Sequence, residues 1–496
     1  MKIQQFFEHH GITCNPFADE DAQTDLVFKG ACIRTTYHPT WDKIYGEPSE
    51  PATAVVFGEK GSGKTALRLQ VAYHLTEYNA DHPDGQVFVV QYDDFNPFLD
   101  RFRDRLSGRR RRPDRALQRW RLWDHMDAIL SLAVTQLVDR LLEVKQSRYP
   151  AARDEPLPID QLDAAQIRDV LLLAACYDQS TAENVVQRFK RLCRKLRFRT
   201  WLVKWDWVLG IVVTHAVVVA LSAYGKFDLL FTPWPQVLIV AGWMPRLWHV
   251  LKCFWKARAI RRNTRVLNHS TNLVRRVLMK FRGSQLDGQP LPDRQRTDDR
   301  YELLGKLQGV LRSLRFDGIV VLIDRLDEPY LINGSTELMR ALLWPMLDNK
   351  LLRHPGLGMK LLLPIELERL IDREDRDFHQ RARLDKQNMV RSLQWTGQSL
   401  YDVANARIKA CAVEGSSPVL ADLFDGSVDD ARLMNSFGSL RVPRHLFKFI
   451  YRLLTVHCNA HSDENPVWQI SGETFESVLA LYQRDQEALD RGDRAG

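Results

Sequence analysis

A chain of 496 residues that is 45% hydrophobic and 27% charged has an ordinary folding composition, with room for two or three domains. Lys plus Arg number 70 against 62 for Asp plus Glu, and the basic residues come in clusters, so net charge alone selects no partner. The seven cysteines (Cys14, Cys32, Cys176, Cys193, Cys253, Cys411, Cys458) are scattered without C-x-x-C spacing, which argues against a zinc site or a disulfide framework and for a reducing compartment.

Residues 1–17 hold no long apolar core followed by a small-residue cleavage site, so no secretory signal is expected. Ala54-Val55-Val56-Phe57 reads as a buried strand. Gly58-Glu59-Lys60-Gly61-Ser62-Gly63-Lys64-Thr65 follows and fits G-x-x-x-x-G-K-[ST] in full; Leu67, Val71 and Leu75 then recur at helical spacing. Strand, glycine loop and helix in that order suit a phosphate group. The glycines let backbone N–H groups turn toward phosphate oxygens, and the helix N-terminus adds partial positive charge. Gly58, Glu59, Lys60, Gly61, Ser62, Gly63, Lys64, Thr65 and Ala66 are therefore the candidate nucleotide contacts. Lys64 is expected to reach the terminal phosphates, and the Thr65 hydroxyl to bind Mg²⁺. No guanine-specific N-K-x-D motif is visible, so ATP is the expected nucleotide.

Residues 86–92 read as a second core strand. Residues 101–121 are arginine-rich, and Arg109 to Arg112 sit between Gly108 and Pro113 in what reads as a solvated loop; contact with anionic lipid or nucleic acid is the alternative. Helical patterns follow from Trp123 and over 164–196. Residues 207–225 (WVLGIVVTHAVVVALSAYG) carry no formal charge, and as a helix of 19 residues would span about 28 Å, close to the thickness of a bilayer core. A second apolar helix is expected over about 236–255, crossing if Arg246, His249 and Lys252 lie near the interface. Residues 188–204 contain eight Lys or Arg and 252–265 contain six, with no acid in either, while Lys226 and Asp228 are the only charges between the helices. Both flanks are thus expected on the cytosolic side of an inner membrane, with two crossings and cytosolic termini. Trp201, Trp205, Trp207, Trp234, Trp243, Trp248 and Trp255 suit an interfacial belt. The alternatives are a buried hairpin or a re-entrant segment.

Residues 282–300 read as a linker and 301–314 as a helix. Residues 318–323 form a buried-strand pattern ending in Asp324, the expected acid on the Mg²⁺ side. A second carboxylate is needed to direct water, and Glu328 is preferred to Asp327; the bland alternative is a solvated turn in which Asp324 alone matters. Residues 360–363 are strand-like with Glu366 following, and 390–395 are expected as the last strand. Arg381 and Arg383 are candidate sensors, or a finger toward a neighbouring copy in a homo-oligomer, against a reading as surface charge. From residue 399 the pattern is helical and suits a lid, where Arg441 and Arg444 stand at a helix start; His445 reads as a packing or surface residue.

The greasy hairpin thus lies between the two halves of the nucleotide site. An even number of crossings returns the chain to the side it left. The expected division is an N-terminal segment (1–50), a nucleotide-binding core in two parts (51–105 and 301–398), a helical insertion (106–200), the hairpin (201–257), a helix and linker (258–300) and the lid (399–496).

This arrangement resembles the KAP family of P-loop NTPases, in the STAND-like branch of the wider AAA+ group. Those proteins carry transmembrane segments between the phosphate loop and the acidic strand. The resemblance implies an α/β parallel-sheet P-loop fold with a large helical insertion containing two transmembrane helices and a C-terminal helical lid. It implies Asp324 as the Mg²⁺ acid, Asp327 or Glu328 as the catalytic acid, and a lid arginine at Arg441 or Arg444. The GITCNPFADE start is similar to that of secretion-pathway AAA+ ATPases. Where KAP members often show Asp-Asp-Leu-Asp-Arg, this chain has Asp324-Arg-Leu-Asp-Glu. Roles in membrane-bound signalling assemblies and phage exclusion are implied by resemblance alone. The expected function is a membrane-anchored, cytosol-facing ATPase. An ATP-binding switch with little turnover and a nucleic-acid-stimulated ATPase are the alternatives.

Overall fold

A computed structural model describes residues 1–144, 157–180, 183–198, 205–223, 225 and 232–494. The chain is mixed α/β and mostly helical, with a five-stranded parallel sheet in the order β2-β3-β4-β1-β5. The strands are β1 (Ala54–Gly58), β2 (Gln86–Tyr92), β3 (Phe316–Ile323), β4 (Leu357–Pro364) and β5 (Asn388–Val390). β1 pairs in parallel with β4, from Ala54 opposite Lys360 to Gly58 opposite Pro364, and with β5 on its other side. Every residue of β1 and of β4 is buried, as in a parallel sheet covered on both faces; the one lysine in them, Lys360, donates to Tyr45 O and Ala52 O.

The last strand differs from the sequence expectation of 390–395. It ends at Val390; beyond it the Leu393 N–H still donates to Phe57 O of β1 at 2.8 Å, and the Trp395 indole reaches the glycine loop at Ser62 O, 2.9 Å. The Leu393 side chain packs in the core with Val56 and Leu362, and Trp395 packs against the helical core.

Two compact units form. The first comprises Met1–Tyr78, Leu322–Glu328 and Leu352–Gly496. Its helical part has one core in which Phe6, Phe7, Ile12 and Phe17 are packed with Leu400, Leu446, Phe449 and Phe475. The N-terminal segment is thus built into the C-terminal helices, with Ile12 bridged to Ala412. The helices of that part include Gly397–Ala410, Asp430–Leu440, Pro443–Ala460 and Gly472–Arg494.

The second unit comprises Asn79–Val321 and Pro329–Leu351. Its helices Leu122–Leu141, Ala164–Tyr177 and Thr297–Ser313 enclose a buried ion pair between Arg300 and Asp127, 3.1 Å, to which the Tyr177 hydroxyl adds a 2.8 Å hydrogen bond. Arg188 is likewise buried between Asp139 and Asp178, at 2.6 and 2.7 Å. Arg109 to Arg111 lie in an exposed 3-10 turn, Gly108–Arg111.

The apolar segments are the helices Trp205–Ala223 and Pro233–Asn263. The second begins earlier and runs farther than the expected 236–255, and Pro245 does not end it. They pack on each other through Gly210, which faces the Trp243 ring, and Gly242, which faces Val213. The Trp243 indole donates to Thr214 Oγ1 at 3.1 Å, and Arg246 lies over the Trp207 ring at 5.3 Å. Pro233–Asn263 is long and apolar enough to cross a membrane; the apolar stretch Trp207–Ala223 is shorter. Toward its C-terminal end the long helix buries His249, Cys253, Ala257 and Ile260. Before that end it is open: Val237 is 64% and Trp248 65% exposed. Trp201, Lys204, Tyr224, Lys226 and Asp228, which entered the topology expectation, lie outside the described residues.

Candidate functional site

β1 ends at Gly58, and the chain turns through Gly61 and Gly63, with φ of +88° and +93°, before the helix Lys64–Asp81 begins. Glycine is required at both by the left-handed backbone. Gly61 has a second reason, because a Cβ there would fall 2.6 Å from Arg444 Cβ. The amides of Gly61, Gly63, Lys64, Thr65 and Ala66 donate to no backbone carbonyl; the first loop–helix bond is Leu67 N–H to Gly63 O, 2.8 Å. The loop therefore presents free N–H donors where the helix dipole is positive. Ser62 Oγ is buried without a hydrogen-bond partner.

Lys64 folds back on this loop, donating to Gly58 O and Glu59 O at 2.8 and 2.9 Å. Burial lowers its pKa; Asp324, Asp327 and Glu366 pull it back up, and Arg444 pushes it down. Thr65 Oγ1 donates to Asp324 Oδ2 at 2.9 Å. Asp324 stands just past the end of β3 and is buried, which raises its carboxyl pKa against the opposing influence of Arg68, Thr65 and Lys64. Arg68 Nε lies 3.3 Å from the same oxygen, both side chains being 2% exposed. The loop after β1 and the acid after β3 thus share one place, and every residue of it belongs to the first unit.

The two candidate second acids are placed differently. Arg325 takes a left-handed φ of +61° and reaches Glu328 at 3.3 Å and Asp21 at 3.8 Å. Glu328 is 54% exposed. Its pKa is raised by partial burial and by Asp327, Asp324 and Asp21, with Arg325 opposing. Asp327 is half-buried and contributes to the field on Lys64. Arg444 stands against Gly61, its N–H 3.4 Å from Gly61 O, and its guanidinium lies 3.7 Å from Glu20. Lys448 reaches the same carboxylate at 3.5 Å. Arg441 is exposed with φ +61°, its carbonyl accepting from Trp395 N–H at 3.4 Å. Arg381 and Arg383 are exposed at the end of the short helix Arg376–Ala382, Arg381 over the Phe378 ring. His445 accepts or donates a 2.9 Å hydrogen bond with the Tyr482 hydroxyl, a packing role.

Three contributors escape a motif reading. Arg68 was accessible from sequence, since it lies one helical turn after Lys64 and so on the same face. Trp395 and the Glu20–Asp21 pair carry no local signal, because only the fold brings them to the loop.

Among the described residues no group of three or more His, Cys, Asp or Glu is placed to hold a metal alone. The Thr65 hydroxyl and the Asp324 carboxylate are nevertheless hard oxygen donors at one point, suited to Mg²⁺ completed by phosphate and water. Comparison with protein-family models, curated proteins and solved structures finds no match for this chain.

Proposed function

We propose that the chain is a membrane-anchored, cytosol-facing P-loop ATPase, as its resemblance to KAP-family NTPases implies. The carrying observation is the 2.9 Å hydrogen bond from Thr65 to Asp324 beside Lys64. In this reading the free amides of Gly61, Gly63, Lys64, Thr65 and Ala66 cradle the phosphates, Lys64 leaves its two loop carbonyls for phosphate oxygens, and Arg444 closes from the lid side. Mg²⁺, when bound by Thr65 and Asp324, would neutralise developing phosphate charge. Asp327 or Glu328 orients the attacking water.

The two apolar helices form a hairpin that crosses the bilayer twice and leaves both termini in the cytosol. Their exposed outer faces and the tryptophans at Trp207, Trp243, Trp248 and Trp255 support this reading. Turnover would then change the state of a membrane-associated assembly.

A second reading, an ATP-dependent switch with little turnover, draws on Glu328: its carboxylate is half out in solvent and paired with Arg325. One experiment addresses both. Detergent-purified protein is assayed for Mg²⁺-dependent binding of a fluorescent ATP analogue and for phosphate release. Binding and release that both vanish in Lys64→Ala support the ATPase; binding without release supports the switch; no binding by the parent protein defeats both.

A further inference from the structure

The N-terminal segment meets the end of the helix Gly397–Ala410 in a short antiparallel contact. Ile12 bridges to Ala412, and Thr13 holds Cys411 O twice, through its N–H at 2.7 Å and its hydroxyl at 2.9 Å. The next residue is Cys14, and its Sγ lies 2.9 Å from Cys411 Sγ. Unbonded sulfurs rest farther apart than this, while a disulfide closes to about 2.05 Å. Three backbone and hydroxyl anchors therefore hold two free thiols at the threshold of bonding. Cys14 is exposed and Cys411 buried, so one thiol meets solutes and the other waits behind it.

We propose that Cys14 and Cys411 are a redox-sensitive pair that forms a reversible intramolecular disulfide, with a low-molecular-weight disulfide such as oxidised glutathione as the oxidant. The Cys14 thiolate, its proton released to water, attacks one sulfur of the oxidant and expels one glutathione thiolate. Cys411 then gives up its proton and attacks Cys14 Sγ, expelling the second. Two protein thiols become one disulfide, and one glutathione disulfide becomes two thiols. Burial raises the Cys411 thiol's pKa, which makes the second step the slower one.

The bond has a mechanical meaning. Residues 15–25 follow directly on Cys14, and within them Glu20 holds Arg444 and Lys448 while Asp21 holds Arg325. Oxidation staples the root of this acidic strap to the helical core. The inference does not depend on nucleotide binding.

The test uses the full-length protein in detergent. It is incubated with oxidised glutathione, its remaining thiols are alkylated, and it is digested without reductant and mapped by mass. The expected product is a Cys14 peptide joined to a Cys411 peptide, two hydrogens lighter than the sum and parted by dithiothreitol. Oxidised protein should melt several degrees higher than reduced protein, and Cys14→Ser, at an exposed position, should lose both effects. Recovery of Cys14 only as its glutathione adduct or alkylated thiol would overturn the proposal. So would Cys411 joined instead to Cys32, the other thiol whose charge it feels.

Discussion

Thr65 Oγ1 donates to Asp324 Oδ2 at 2.9 Å, across 259 residues of sequence. The bond requires that the chain, having left the glycine loop and run through most of the second unit, return its acid to the starting point. Arg68, one turn beyond Lys64, shares the same carboxylate oxygen. Asp324 is thus both the expected metal-side acid and the counter-charge that makes a buried arginine tolerable.

This double role separates two substitutions. Asp324→Ala breaks the buried ion pair with Arg68, and removing one member of such a pair costs about 3–5 kcal/mol. Asp324→Asn keeps an acceptor for Thr65 and should destabilise less. Lys64→Ala removes a desolvated ammonium that neighbours Arg444, so its melting temperature should stay near the parent value while affinity for an ATP analogue falls at least tenfold. Thermal melts with analogue titrations on all three variants check the pattern. A large stability loss in Lys64→Ala would mean that its two loop hydrogen bonds are structural.

The acidic strap gives a prediction of opposite sign. Glu20 holds Arg444 and Lys448 beside Gly61, where the proposed phosphate would also claim Arg444. Glu20→Gln removes a competitor that is about half exposed, so analogue affinity should rise several-fold with little change in stability. Arg444→Ala should lower affinity. The check is the ratio of affinities with and without the γ-phosphate: weaker binding by Glu20→Gln would show the strap to be a support for Arg444 instead of a rival.

The strands and the glycine loop were legible because their signals are local. β1 is an apolar run of a few residues, Gly61 and Gly63 are demanded by positive φ, and Asp324 follows directly on a buried strand. What was not legible is set by tertiary contact. The run at 390–395 has a strand's composition, yet the strand ends at Val390: Leu393 N–H still bonds Phe57 O of β1, while the Trp395 indole braces the loop at Ser62 O. The N-terminal segment looks like a separate piece until Phe6, Phe7 and Phe17 are seen in the C-terminal core. The second apolar helix was cut short in sequence terms by Pro233 and Pro235 at its start and by Pro245-Arg246 toward its end. Pro233 and Pro235 fall in its first turn, where a missing N–H does no harm, the helix continues through Pro245, and Lys252 and Lys256 beyond it find Asp287 and Leu286 O.

In the proposed bilayer reading, helix packing and membrane attachment separate at the hairpin. A Cβ at Gly242 would fall 2.8 Å from Val213, and one at Gly210 would fall 2.7 Å from the Trp243 ring. Gly242→Leu should force the helices apart and lower the melting temperature in detergent, while the carbonate-resistant fraction stays unchanged because the segment becomes no less apolar. Val237→Glu, on an exposed face, should do the reverse: packing is untouched, but an acid placed in hydrocarbon costs on the order of 2–3 kcal/mol. Carbonate extraction should then release more of that variant. If the parent protein is itself released by carbonate, the bilayer reading of this face falls.

His125 makes a last prediction, on pH. It is fully buried in the second unit, with Nε2 2.8 Å from Leu342 O and Nδ1 3.2 Å from the Tyr92 hydroxyl. Burial pushes its pKa down to about 4. In the unfolded chain an ordinary histidine titrates near 6.5, so between those values the unfolded state binds a proton that the folded state refuses. The contribution of His125 is therefore intact above about pH 6.5 and is lost as pH falls toward 4, amounting to about 2 kcal/mol at pH 5. Its neighbour Asp124, raised to about 6 by burial against the pull of Arg265, works the other way, losing stability as pH rises from about 4 to 6. The parent slope is a sum of opposed parts, so the informative quantity is a difference. His125→Gln keeps an amide to donate to Leu342 O and removes the titration. On going from pH 7 to pH 5 it should lose about 2 kcal/mol less stability than the parent, measured by denaturant unfolding at each pH. Equal losses in the two proteins would mean that His125 is protonated in the fold and that one of its two partners accepts from it in both states.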